Sequence, residues 1–486
     1  MNKFLRAPQA ALMTSALLLL GGCSTIGGVA DAINPFDKTE AQKKAEQGDV
    51  AGNSDRISLI SLEDELAVTG TITPDQVVLP AAYANTDWPQ VGGNPAHVMQ
   101  HTGASGPLKK IWSKDVGSGT SRKGRVIAQP VIAGGRIFVM DGKNQVSAYD
   151  AATGDRFWEH DVKVAVKKKT RRGRKGIIER ISNPLALQDK GGKDKESVGG
   201  GVAVANGRVY VTSGLGVVEA LDATTGASVW RKRLRVPLHS APTIEGGRVF
   251  AVTDDNELYA FNASDGAVIW TYQGIIESAR MLTAPAPAVV GDTVIAPFAS
   301  GEVVALRVQN GGVLWQDTLT ASGRLTPLAS LNDISSGPVI ADGYVIATSQ
   351  SGVVSAFDLR TGQLIWSQPA GSLGFPWVAG DFVYMVTVEG EVVCLSKLDG
   401  SIVWIQQLPA YKNVKKRKKK IAWAGPIMAG ERLLMMASNG QAVTVNPYNG
   451  EIISEFKIGA SVFASPIIAN ETVYVMTDEA KLVALR

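Results

Sequence analysis

Side chains able to bind a soft metal or assist a nucleophile are scarce in this 486-residue chain, which holds four histidines and two cysteines. His97, His101, His160 and His239 are scattered, and their spacings match no metal-ligand pattern. Cys23 and Cys394 cannot build a disulfide framework or a cysteine-rich metal site between them. No Ser/His/Asp arrangement stands out, and Gly199-Gly200-Gly201 reads as a linker rather than a phosphate cradle. The sequence therefore predicts no catalytic residue, no metal ligand and no cofactor.

Charge carries more chemical content. Residues 163–175 hold eight Lys or Arg and no acid, and residues 412–420 hold seven more. Taking those fifteen away turns the formal net charge of +4 into −11, so the remaining chain is acidic and the basicity is local. Runs of this kind suit an anionic lipid or an acidic partner surface, or stand as solvated loops. They lack the interleaved aromatics on which bases stack, which argues against nucleic acid. The candidates for an anionic contact are Lys167, Lys168, Arg171, Arg172, Lys416, Arg417 and Lys418.

The elements that must carry these residues are written in a repeat. YDAATGDRFW (149–158) returns as LDATTGASVW (221–230), FNASDGAVIW (261–270) and FDLRTGQLIW (357–366). Around each copy, short β-branched runs separated by Gly, Asn and Asp predict strands joined by hairpins. Four strands in about 40–50 residues make one blade of a β-propeller. Openings near Pro130, Val202, Pro242, Pro287, Pro338, Trp377, Pro426 and Pro466 count eight blades. Closing aromatics at Trp112, Trp158, Trp230, Trp270, Trp315, Trp366, Trp404 and Phe456 also count eight. The two sets are offset, because Trp112 has no opening before it and the last copy stops at Arg486. The expected fold is thus an all-β, eight-bladed propeller over 86–486, closed by pairing its N- and C-terminal strands. The tryptophans read as plugs between blades. Both basic runs follow a closing tryptophan, so inserts near 163–199 and 412–420 leave from one face.

The N-terminus reads as export machinery. Lys3 and Arg6 precede the apolar run 10–20, too short for a membrane span and suited to a signal-peptide core. Leu20-Gly21-Gly22-Cys23-Ser24 resembles the bacterial lipobox. That resemblance implies removal of 1–22, lipidation of Cys23, and, with Ser24 next, the outer membrane. Residues 23–85, polar and aperiodic, are expected to be a flexible tether.

The Ala-x-Asp-x-x-Thr-Gly-x-x-x-Trp phrase resembles the repeats of pyrroloquinoline-quinone dehydrogenases, as does Trp88-Pro89-Gln90-x-Gly92-Gly93-Asn94. Those enzymes hold calcium and the quinone at the propeller axis, and many carry a vicinal cysteine pair that this chain lacks. Lipobox, tether and propeller together resemble the BamB family, lipoproteins of the outer-membrane β-barrel assembly machinery. That resemblance implies a non-catalytic scaffold, facing the periplasm, that binds BamA and helps unfolded outer-membrane proteins to fold. It assigns the BamA contact to Arg280 and Met281 in one inter-blade loop and to Leu331, Asp333 and Ser335 in the next. The family pattern has an acid where Ser335 stands and a leucine where Ala279 stands. A quinone-dependent dehydrogenase and an envelope-binding propeller with another partner are the competing readings.

Overall fold

The recurring polar phrase is a hairpin turn whose first residue ties it together. The computed structural model describes residues 66–122, 124–162, 198–277, 285–319, 334, 336–413 and 415–486. One carboxylate oxygen of Asp150 accepts the N–H groups of Ala152 and Thr153 at 2.8 and 2.9 Å. Asp222 and Asp358 hold Thr225 and Thr361 in the same way. Two residues after the first threonine, Asp155 is preceded by Gly154 at φ +72°, a left-handed conformation that costs glycine nothing.

Strands flank each turn because apolar residues there can bury on both faces of a sheet. Eight four-stranded antiparallel sheets result among the described residues. Seven follow directly in sequence as blades 1 (131–161), 2 (200–233), 3 (243–273), 4 (288–318), 5 (339–368), 6 (377–407) and 7 (423–457). Blade 8 joins the C-terminal strands Ile467–Ala469, Thr472–Met476 and Lys481–Leu485 to the N-terminal strand Lys110–Asp115. Trp112 lies opposite Ala484 and Ser113 opposite Val483, so the ring closes by joining the chain's two ends, as expected. Inner strands such as Val339–Ala341 are buried, whereas the outer strand Val268–Gln273 is mostly exposed apart from Trp270.

Inner strands leave backbone groups facing the axis, and these need partners. Residues 85–104 supply them by visiting every blade. Asn85 accepts from Asn470 of blade 8 (2.8 Å), and Trp88 exchanges two bonds with Ile132 of blade 1 (2.8 Å each). Pro89 accepts from Val204 of blade 2 at 2.7 Å, and the Gln90 amide bonds both backbone groups of Ile244 in blade 3. Pro95, Ala96 and Thr102 accept from Val289, Ile340 and Gly430 of blades 4, 5 and 7, and Gln100 accepts from the Trp377 indole of blade 6. The segment is a cap across the ring.

Four expectations are corrected. The tether does not extend to residue 85, because residues 66–85 lie on the propeller. Thr69 donates twice to the Ile402 carbonyl at 3.1 Å, Val77 is buried, and the Pro80 carbonyl meets His101 at 2.7 Å. Their apolar residues obey no period, so nothing in the sequence marked them as packed. Gly200 and Gly201 are not linker but the start of strand Gly200–Ala205. A β-carbon on Gly200 would fall 2.1 Å from the Thr212 carbonyl, which explains the glycine. The residue of blade 7 in register with the closing tryptophans is Ser454, opposite Thr444, rather than Phe456. Finally, the basic stretch 412–420 is no loose loop: Tyr411–Asn413 and Lys418–Lys420 pair as a two-stranded ribbon.

Candidate functional site

Strand polarity sorts the connections onto two faces. Within a blade the four strands alternate in direction, so the turn between strands two and three and the link to the next blade emerge together. The turns between strands one and two, and three and four, emerge opposite. The cap over 85–104 bonds inner strands near their first turns, for example at Ile132 and Gly430, and so covers the axis from the second face.

Blades are locked to one another by a repeated pair. Trp230 donates from Nε1 to the Ala263 carbonyl of the next blade at 2.9 Å, and Trp270 does so to Val308 at 3.0 Å. The turn glycine lies against the same ring, and a β-carbon on Gly311 would come within 2.6 Å of the Trp270 indole. Trp158, Trp315, Trp366 and Trp404 repeat the bond. At the ring-closing junction Trp112 packs on Gly154, and the Tyr474 hydroxyl, rather than the indole, donates to the Ala151 carbonyl at 3.0 Å. The junction between blades 7 and 8 has no such turn to plug, since there the third and fourth strands are the two chain ends. Ser454, hydrogen bonded to Thr444 at 2.7 Å, stands where the indole would be.

The histidines serve structure. His97 bonds the Pro338 carbonyl at 2.7 Å beneath the cap, and burial lowers its pKa to about 4 against the opposing effect of that bond. His101 lies between the Pro80 and Gly430 carbonyls at 2.7 and 2.9 Å. His239 pairs with Asp254 at 2.6 Å, tying the link from blade 2 to a turn of blade 3. His160 of blade 1 reaches the buried Glu219 of blade 2 at 3.3 Å. Burial raises the pKa of Glu219, but His160, the Ser228 hydroxyl and Arg231 outweigh it and hold the carboxyl below its usual range. Burial pushes the Cys394 thiol up, so it is a core residue and no nucleophile. No group of three or more His, Cys, Asp or Glu is gathered for a metal among the described residues.

Among the residues expected to bind a partner, Arg280, Met281, Leu331, Asp333 and Ser335 lie outside the described residues, as do Cys23, Lys167, Lys168, Arg171 and Arg172. The described residues around the first five define where they attach. The strands that flank the two loops, Val268–Gln273 with Ala288–Val290 and Val313–Thr318 with Val339–Ala341, join blade 3 to 4 and blade 4 to 5. Ile334, between Asp333 and Ser335, is fully buried in a cluster with Trp315 and Ile340, and Ser336 bonds Thr348 at 2.8 Å. Ile275 and Ile276, entering the first loop, are 61% and 69% exposed. With Leu373 and Phe463 of later links they are exposed apolar residues that sequence reasoning missed. Their signal was weak: apolar residues just past a strand end look like strand. Lys416, Arg417 and Lys418 sit on the ribbon of the link from blade 6 to 7, two links from the Asp333 loop.

Eight such blades and a capped axis make this a propeller of the PQQ-like repeat class. The chain belongs to the outer membrane protein assembly factor BamB family, whose family model matches residues 91–193 and 180–406. It is similar to outer membrane protein assembly factor BamB of Yersinia pestis, 28% identical over 363 residues covering 74% of this chain and 84% of that protein. The crystal structure of BamB from Moraxella catarrhalis superposes with a TM-score of 0.60 at 18% identity, over 78% of this chain and 99% of that one. Quinohemoprotein alcohol dehydrogenase from Comamonas testosteroni superposes with a TM-score of 0.57 at 16% identity, over 82% of this chain and 80% of that one. The last two likenesses concern the fold alone.

Proposed function

We propose that the chain is a non-catalytic, lipid-anchored scaffold on the periplasmic side of the outer membrane, docking on BamA through its link face. The observation that carries this is the cap. Residues 85–104 bond all eight blades, mostly near the turns opposite the links, with Gly92 and His97 reaching Gln129 and Pro338 on the link side, and Ile275 and Ile276 stay exposed in a link. Arg280, Met281, Leu331, Asp333 and Ser335 would supply the contact from two adjacent links, and Cys23 the anchor. An Arg desolvated at such an interface is a frequent hot spot.

Assistance to unfolded clients would use the blade edges. In blade 6 the chain's own residues near Thr69 cover the outer strand, where Ile402 and Val403 are each 2% exposed. The equivalent Leu364 and Ile365 of blade 5 are 48% and 41% exposed, an open edge suited to adding a strand. Docking is tested by recovering BamA with the protein from detergent-solubilised membranes. An Arg280→Ala/Asp333→Ala variant should recover about tenfold less; equal recovery removes the assigned interface.

A further inference from the structure

The ribbon at 411–420 carries its charge in a form the protein itself does not neutralise. Lys412, Lys415, Lys416, Arg417, Lys418, Lys419 and Lys420 are all exposed, and none pairs with a carboxylate among the described residues. The register sets Tyr411 opposite Lys420 and Asn413 opposite Lys418, which puts Lys412 opposite Lys419. Like charges directly across a strand pair destabilise it. Arg417 and Lys419 further adopt φ of 45° and 62°, left-handed values that cost a non-glycine residue. Such a hairpin would not be expected to stand stiffly in solution.

Its base is nevertheless firm. Leu408 and Ile421 are buried, Ile421 donates to the Ala410 carbonyl at 2.8 Å, and the Trp423 indole donates to Pro409 at 3.2 Å. Arg417 lies over the Tyr411 ring, 5.9 Å from its centroid. The ribbon is thus a rooted projection, cationic on both sides and at its tip, in a chain that is acidic outside its two basic runs.

We propose that this ribbon is a membrane-contact element that takes the anionic headgroups of a phospholipid bilayer. A rigid acidic protein surface would match one side of the ribbon and leave the other side's lysines unmet. Headgroups in a fluid bilayer diffuse to both sides and the tip, so every cation finds an anion. The chain outside the two basic runs is acidic and is repelled by the same surface, which orients the ribbon's face toward it. This inference uses the proposed function only for the presence of a bilayer and needs no BamA contact.

The test is vesicle flotation of the full chain, read as the ratio of binding to phosphatidylcholine vesicles with and without phosphatidylglycerol. Any lipid anchor or apolar leader contributes to both and cancels in the ratio. A Lys415→Gln/Lys416→Gln/Arg417→Gln/Lys418→Gln variant should lower the ratio at least about tenfold, and high salt should do the same to the unaltered chain. All four side chains are exposed, so an unchanged melting temperature confirms that the fold is kept. A ratio near one for the unaltered chain, or one that the substitutions leave alone, overturns the proposal. If the variant instead loses BamA while its vesicle ratio is unchanged, the ribbon meets an acidic protein surface and the bilayer assignment is wrong. Loss of the ratio with BamA recovery intact supports the bilayer contact independently of the docking assignment.

Discussion

The indole Nε1 of Trp404 donates to the carbonyl oxygen of Pro447, one blade further round the ring, at 3.1 Å. The same ring occupies the space where a β-carbon on Gly450 would lie, 2.7 Å from its nearest atom. Tryptophan and glycine are therefore one joint, made by two consecutive blades. The joint recurs at Trp158, Trp230, Trp270, Trp315 and Trp366.

Both halves of the joint are open to substitution. Trp404→Ala removes a large buried side chain and should cost about 3–5 kcal/mol of unfolding free energy by denaturant titration. Gly450→Ala keeps the indole but forces a β-carbon against it at φ +79°, and should destabilise by about 1–3 kcal/mol. A Gly450→Ala protein as stable as the original would mean that the blades slide apart easily at this junction.

The cap is expected to contribute stability through polar bonds rather than bulk. Gln90→Ala leaves both backbone groups of Ile244 without their partners at 2.8 and 2.9 Å, in a buried setting. Each unmet group costs about 1–3 kcal/mol. Limited proteolysis should then cut within 66–104 before it cuts the blades, and the chemical midpoint of unfolding should fall.

Acid should loosen the same region. Folded His97 has a pKa lowered to about 4, against 6.5 for the free side chain, because burial disfavours its charge. The unfolded chain therefore binds a proton between these values while the folded chain does not. The stability held by neutral His97 is complete above pH 6.5 and is lost as pH falls toward 4, up to about 3 kcal/mol. Subtracting the pH profile of His97→Gln from that of the unaltered chain should isolate this slope. Parallel profiles would show that His97 is protonated in the fold at little cost.

Ring closure is the most sensitive point. Val483 is 5% exposed in the strand between Met476 and Trp112, opposite Ser113 on one side and Val475 on the other. Val483→Asp buries a carboxylate there and should cost more than about 4 kcal/mol, seen as loss of soluble protein or a collapsed melting transition. Soluble protein with a near-normal transition would show that blade 8 opens without loss of the other seven.

Much of the architecture was legible because a propeller writes each blade locally. The Asp-to-Trp spacing specified hairpin and plug, and the offset between Trp112 and the final Leu485 strand revealed how the ends meet. The site was less legible. Arg280 and Asp333 could be assigned to successive links by counting strands, and they lie outside the described residues, whereas the exposed Ile275 and Ile276 were given no role by the sequence. Their exposure depends on what does not pack over them.

From sequence alone came the number of blades, the closure and the segregation of positive charge into two links, all consequences of short-range pattern and counting. Tertiary structure alone decided that residues 85–104 span the axis, that residues 66–80 cover blade 6, and that Ser454 replaces a tryptophan. Those outcomes join residues up to several hundred positions apart, such as Thr69 with Ile402 and Asn85 with Ile468. A backbone bond to whichever strand lies nearest leaves no periodic mark on the chain that makes it. Only the closed ring determines which strand that is.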